Sequence, residues 1–193
     1  MRTLYRHAAE YGLAVVFMES SATRPVRMLE AAMRPGACSE AGFLGLNESL
    51  EEVIEQDATW LKNLDISHEQ IAGALEELLS PSANADEATI CSRRSEGKGR
   101  PLGNVGSVWS FQVSGSLGWQ DCPWGCDLTI DNGYRLASRD YELLDGNTGE
   151  VVHFPGLLIH LVREHWFFEG RGSPYRVDPT KLVQILQLRP CQD

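Results

Sequence analysis

Positive charge is scarce where this sequence is most regular: residues 37–90 hold twelve acids and a single base, Lys62. Such a stretch would repel phosphates instead of displacing their counterions, which excludes nucleic acid as its partner and favours a basic protein surface. Long apolar runs are also missing. Gly12 to Met18 is the only one near the N-terminus, too short to cross a bilayer and preceded by no proper signal-peptide n-region. The expectation is a cytoplasmic protein with no membrane contact. Cysteine is sparse and odd in number, five in 193 residues. A chain this long needs no disulfide staples, so reduced thiols are expected. A phosphate-binding loop is absent too: Gly97 and Gly99 lie among Arg93, Arg94, Lys98 and Arg100, but without the strand before and helix after that the motif requires. No organic cofactor is expected.

What remains is an ordinary globular composition, 42% hydrophobic and 23% charged, in a chain long enough for one sizeable core or two small ones. "GLAVVF" reads as a buried strand after a short amphipathic opening, and "SSATRP" and "MRPGACSEAGFLG" carry loop punctuation. Two capped helices follow. Ser49 and Glu52 form one capping box ahead of Leu50, Val53, Ile54, Ala58 and Leu61; Ser67 and Gln70 form the next ahead of Ile71, Ala72, Leu75, Leu78 and Leu79, with Pro81 as the stop. Two helices joined by a short turn outline a DNA reader, but the second presents Glu69, Glu76 and Glu77 where basic and amide groups are needed. Packing or a protein partner is the expected role of the acidic helices 50–79.

Residues 81–104 are poor in large apolar side chains and rich in Ser, Gly and charge, and read as a linker or mobile loop. "SVWSFQV" then predicts a strand. "RDYELLDGNTGEVVHF" predicts a hairpin with strands near Asp140–Leu144 and Val151–Phe154. Pro155 and Gly170 bracket a helix, and Asp178 caps another that opens on Pro179. The fold expected is α+β: a helical N-terminal region over 1–80, the linker, and a C-terminal region over 105–193 built from a small antiparallel sheet and two helices.

The chemistry-bearing residues gather late in the chain. Cys122 and Cys126 in "CPWGC", with His160 and His165 in "HLVREH", are the ligand types borderline-soft Zn²⁺ prefers, and a cysteine turn, hairpin and two-histidine helix is the order of ββα zinc fingers. Three features depart from that pattern. The cysteines are separated by three residues instead of two, and 33 residues lie between Cys126 and His160 where fingers use roughly 12. An ideal helix also places His160 and His165 about 140° apart. On a helical wheel His165 joins the apolar arc of Leu157, Leu158, Leu161 and Val162, while His160 sits near Arg163 and Glu164. The competing reading is therefore two packed thiols, a core imidazole and a surface one, with His153 as a substitute ligand.

Catalytic patterns fit less well. The inverted zinc-protease motif H-x-x-E-H needs histidines four apart, and these are five apart, which leaves Glu164 as a general base only if cysteines complete the metal shell. "CPWGC" is one residue too long for a redox C-x-x-C. A thiol nucleophile would need Cys122 or Cys126 beside His160 or His165.

The segment "FPGLLIHLVREHWFFEGRGSPYRVDP", residues 154–179, resembles one found in small bacterial proteins with no assigned activity. The resemblance implies a bacterial soluble domain and assigns no catalytic residue. Its aromatic cluster of Trp166, Phe167, Phe168 and Tyr175 reads as core. Taken together, the sequence predicts a non-enzymatic protein-binding or scaffold module with a structural zinc at Cys122, Cys126, His160 and His165. The alternative is a small hydrolase or transferase pairing Cys122 or Cys126 with His160 or His165.

Overall fold

Capping residues set the helix starts. Ser49 accepts from the Glu52 amide at 3.4 Å, opening α2 (Leu50–Asn63), and Ser67 and Gln70 exchange reciprocal bonds of 2.7 and 3.1 Å ahead of α3 (His68–Ala83). The computed structural model describes residues 2–9, 12–19, 25–83, 100–105, 109–115, 120–128 and 138–190. Among these, β1 (Arg2–Ala9) and β2 (Gly12–Glu19) form an antiparallel pair, and α1 spans Val26–Met33. A second sheet runs β3 (Arg100–Val105), β4 (Trp109–Gly115), β5 (Arg139–Asp145) and β6 (Val151–Pro155), antiparallel throughout and in chain order. Two helices close the chain, α4 (Leu157–His165) and α5 (Pro179–Ile185). The architecture is α+β, as the sequence pattern implies.

Three boundaries differ from the sequence reading. The first is α1, which occupies a stretch passed over between two loop signals; its buried Leu29 and Met33, one turn apart, are the pattern that marks it. Pro81 does not end α3, whose backbone continues to Ala83. β3, all but its last residue placed in the 81–104 linker, pairs with β4 through an irregularity between Pro101 and Gly103, the step expected where proline withholds a ladder donor. The rest of the basic patch, Arg93, Arg94 and Lys98, lies outside the described residues.

Alternation on β5 buries Tyr141, Leu143 and Asp145 on one face and leaves Asp140 exposed on the other. That face packs with Phe154, Leu158, Ile159, Val162, Ile71, Leu75 and Leu182 in one core cluster. A second cluster joins Leu29, Met33, Phe43, Leu44, Leu50, Val53 and Phe167 to Leu157, Leu161 and Cys122. Helix α4 thus feeds both cores, from opposite sides. Arg163, on its solvent edge, ties it to α3 through Glu69 and Glu76.

After α4 the chain turns back under the second core. Gly172 approaches Gly45 so closely that a Cβ on it would lie 2.5 Å from the Gly45 Cα, and Glu48 Oε2 accepts from the amides of Gly45 and Gly172 at 2.7 and 3.2 Å. Beside this seam sits a buried polar group. Asp57 of α2 accepts from both terminal nitrogens of Arg176, and Arg176 also donates to the Glu169 carbonyl. The Ser173 hydroxyl receives the Tyr175 amide at 3.2 Å and lies 3.1 Å from the Gly42 carbonyl and 2.5 Å from Glu169 Oε2.

One hydroxyl proton cannot serve both oxygens. If it goes to the Gly42 carbonyl, which has no proton to offer, the Glu169 contact is complete when Glu169 carries its own. Burial agrees: it drives the Glu169 carboxyl up to about 7, against the Ser173 hydrogen bond and the Arg176 charge. Because the folded chain holds this proton more tightly than the unfolded chain, the stability involved is complete below pH 4.5 and is lost as pH rises through about 7. Glu169→Gln, which keeps the shape and a permanent donor, is expected to match the parent near pH 4 and exceed it by about 3 kcal/mol at pH 8. Urea unfolding of the two proteins at both pH values checks this; equal stability at pH 8 would mean Glu169 ionises freely.

Candidate metal centre

The cysteine knuckle is a single tight turn. The Gly125 amide donates to the Cys122 carbonyl at 2.8 Å, and Gly125 adopts φ +79°, a conformation glycine tolerates without strain. Cys122 points into the second core and is buried; Cys126, past the turn, is half-buried. The backbone at Cys126 and Trp124 pulls the Cys122 thiol down, against the larger effects of the Cys126 contact and burial.

The histidines come from α4, whose C-terminal end departs from ideal geometry. The Trp166 amide reaches both Val162 and Leu161, and the Phe167 amide reaches Leu161, so the last turn widens beyond the i−4 pattern. Trp166 then takes the left-handed conformation (φ 56°, ψ 33°) and ends the helix, four residues before the glycine that the sequence suggested as its stop. His160 and His165 nonetheless meet, their ring centroids 5.1 Å apart and planes 74° to each other. The helical-wheel objection fails here because a wheel fixes only the direction in which a side chain leaves the helix, not how far it reaches from there.

The four candidate ligands converge. One donor atom from each of Cys122, Cys126, His160 and His165 lies within 4.8 Å of the others. His165 Nε2 is 3.2 Å from the Cys122 sulfur and 3.3 Å from the Cys126 sulfur. Edges of a tetrahedral shell with ordinary zinc bond lengths are about 3.3–3.8 Å, so the group is already near the size of one ion. Its spacings, C-x₃-C and H-x₄-H, both fall within zinc-site ranges. The other candidates stay outside: His153 is exposed, 3.4 Å from Glu142 on the sheet surface, and Glu164 is exposed.

Electrostatics suit a cation. The hydrogen bond between the two sulfurs pushes the Cys122 thiol up, reinforced by burial, and holds Cys126 down, with further help from His160 and His165. Cys126 is therefore the first to ionise, and its charge sits inside the cluster. Burial lowers His165 despite the neighbouring thiolate, keeping its imidazole neutral, as a ligand must be. The His160 Nε2 is shielded from water and makes no hydrogen bond among the described residues. A buried ring nitrogen left without a partner, on a residue of this cluster, is one that a metal could satisfy.

A residue that the sequence reading did not single out frames the site. The Trp124 indole stacks on His165 at 4.0 Å with planes 3° apart, and its edge meets Phe167 at 5.5 Å. Its position inside "CPWGC" was the available signal, since an aromatic in a metal knuckle has a ligand ring within reach. Together these groups form a centre that could bind a metal ion, covered by an indole on the His165 side and more open at Cys126 and His160. The chain matches no protein-family model, and no curated protein or solved structure is significantly similar to it. None of the described helices is long and apolar enough to cross a membrane.

Proposed function

We propose that this chain is a non-catalytic protein-binding module whose knuckle is clasped to α4 by one structural Zn²⁺ held by Cys122, Cys126, His160 and His165. The observation that carries the reading is the convergence of two thiols and two imidazoles from separate segments to within 4.8 Å. Sulfur and imidazole donors favour zinc over magnesium or calcium, and four protein ligands leave no position for a reacting water, the arrangement of structural sites. A reducing compartment such as the cytoplasm keeps these thiols available. For the partner, the exposed acids Glu51 and Glu52 on α2 and Glu77 on α3 favour a basic protein surface. Metal analysis of protein purified without an affinity tag should find about one zinc per chain; less than about 0.1 would overturn the reading.

A thiol hydrolase or transferase is the second reading, favoured by the 3.3 Å approach of Cys126 to His165 and the lowered Cys126 thiol. It predicts a metal-free chain whose activity is lost on alkylation of Cys126 alone.

A further inference from the structure

The two thiols sit unequally in the cluster. Cys122 is 3% exposed, whereas Cys126 is half-buried and lies at the open edge with His160. Both belong to one turn closed by the Gly125 amide on the Cys122 carbonyl. An accessible thiolate with a second thiolate a few ångströms away is the arrangement in which oxidation proceeds to a disulfide, the exposed sulfur reacting first and the sheltered one resolving it.

We propose, building on the zinc reading, that the centre is an oxidation-sensitive clasp: Cys126 attacks a peroxide, Cys122 closes a disulfide on it, and the metal is released. In the first step the Cys126 sulfur bonds to one peroxide oxygen as the O–O bond breaks; sulfur is oxidised to the sulfenic acid and hydroxide leaves. The Cys122 thiolate then attacks that sulfur, forming the S–S bond and expelling a second hydroxide. Two thiolates and one peroxide thus yield one disulfide and two hydroxides, and zinc is left with two imidazoles. The sulfurs have only to close from within 4.8 Å to about 2.05 Å. Zinc loss unclasps the knuckle from α4, so the same chemistry that protects the fold in a reducing compartment opens it under oxidative stress.

The test treats the zinc-loaded full chain with hydrogen peroxide, following zinc with a chromogenic chelator and mapping cysteines by mass spectrometry. The expected result is one zinc released per Cys122–Cys126 disulfide, reversed by dithiothreitol and added zinc. Cys38, exposed and outside the cluster, is the internal control. Zinc retained at peroxide levels that oxidise Cys38 overturns this inference and leaves the zinc reading standing. A chain purified without zinc overturns both. Cys122→Ser, lacking the resolving thiol, should accumulate a dimedone-reactive Cys126; should that variant fail to fold, the disulfide map of the parent decides alone.

Discussion

Alanine at Cys122 is expected to abolish zinc binding and to cost more than about 5 kcal/mol, enough to unfold the region around the knuckle. A four-ligand structural zinc contributes about 10–16 kcal/mol of apparent binding free energy in small peptides, and losing one thiolate forfeits a large part of it. Cys122 is also a core residue, in contact with the cluster of Leu29, Met33, Phe43 and Phe167. The cluster of Tyr141, Phe154, Leu158, Ile71 and Leu182 includes none of the ligands. The damage should therefore be uneven. Hydrogen exchange is expected to accelerate through residues 120–128 and α1, while α3, β5 and β6 stay protected. A chelator acting on the parent protein should reproduce that pattern. A variant that keeps one zinc per chain, or melts like the parent without it, would show that the thiol is only packed.

Much of this protein was legible because local rules were obeyed. Capping boxes at Ser49 and Ser67, the "DGNTG" turn and Asp178–Pro179 each set an element edge that the structure reproduces. All four ligand candidates were named from residue type and order. Their geometry was not legible, because a wheel at about 100° per residue does not say how far side chains reach, and His160 and His165 meet with ring centroids 5.1 Å apart all the same. A tryptophan in the left-handed region carries no sequence signature, since glycine or asparagine is the usual occupant. Short α1 escaped for a related reason: eight residues offer too few turns for a pattern to stand out. Long-range polar pairing is invisible in principle. Asp57 and Arg176 are 119 residues apart, and nothing local to either marks them as partners.

That pair yields the second large effect. Asp57 is 1% exposed at its side chain and Arg176 12%, and they meet as a two-bond fork, Nη1 to Oδ2 at 3.0 Å and Nη2 to Oδ1 at 2.6 Å. Desolvation pushes the Asp57 carboxyl up even though Arg176 pulls it down, so burial outweighs the attraction. Removing one partner leaves the other charged, buried and alone. Asp57→Ala is expected to cost about 3–5 kcal/mol, because the Arg176 guanidinium cannot shed its proton. Arg176→Met should cost less at low pH than at high pH, since the stranded carboxyl can neutralise by taking up a proton and the folded state then binds more protons than the unfolded one. The double substitution Asp57→Ala with Arg176→Met should recover part of the Asp57→Ala loss, despite the freed Glu169 carbonyl that Arg176 otherwise satisfies. Urea unfolding of the four proteins at two pH values measures the cycle. Single losses that simply add would mean the fork contributes no coupling, and that α2 and the 169–177 segment are held together by packing alone.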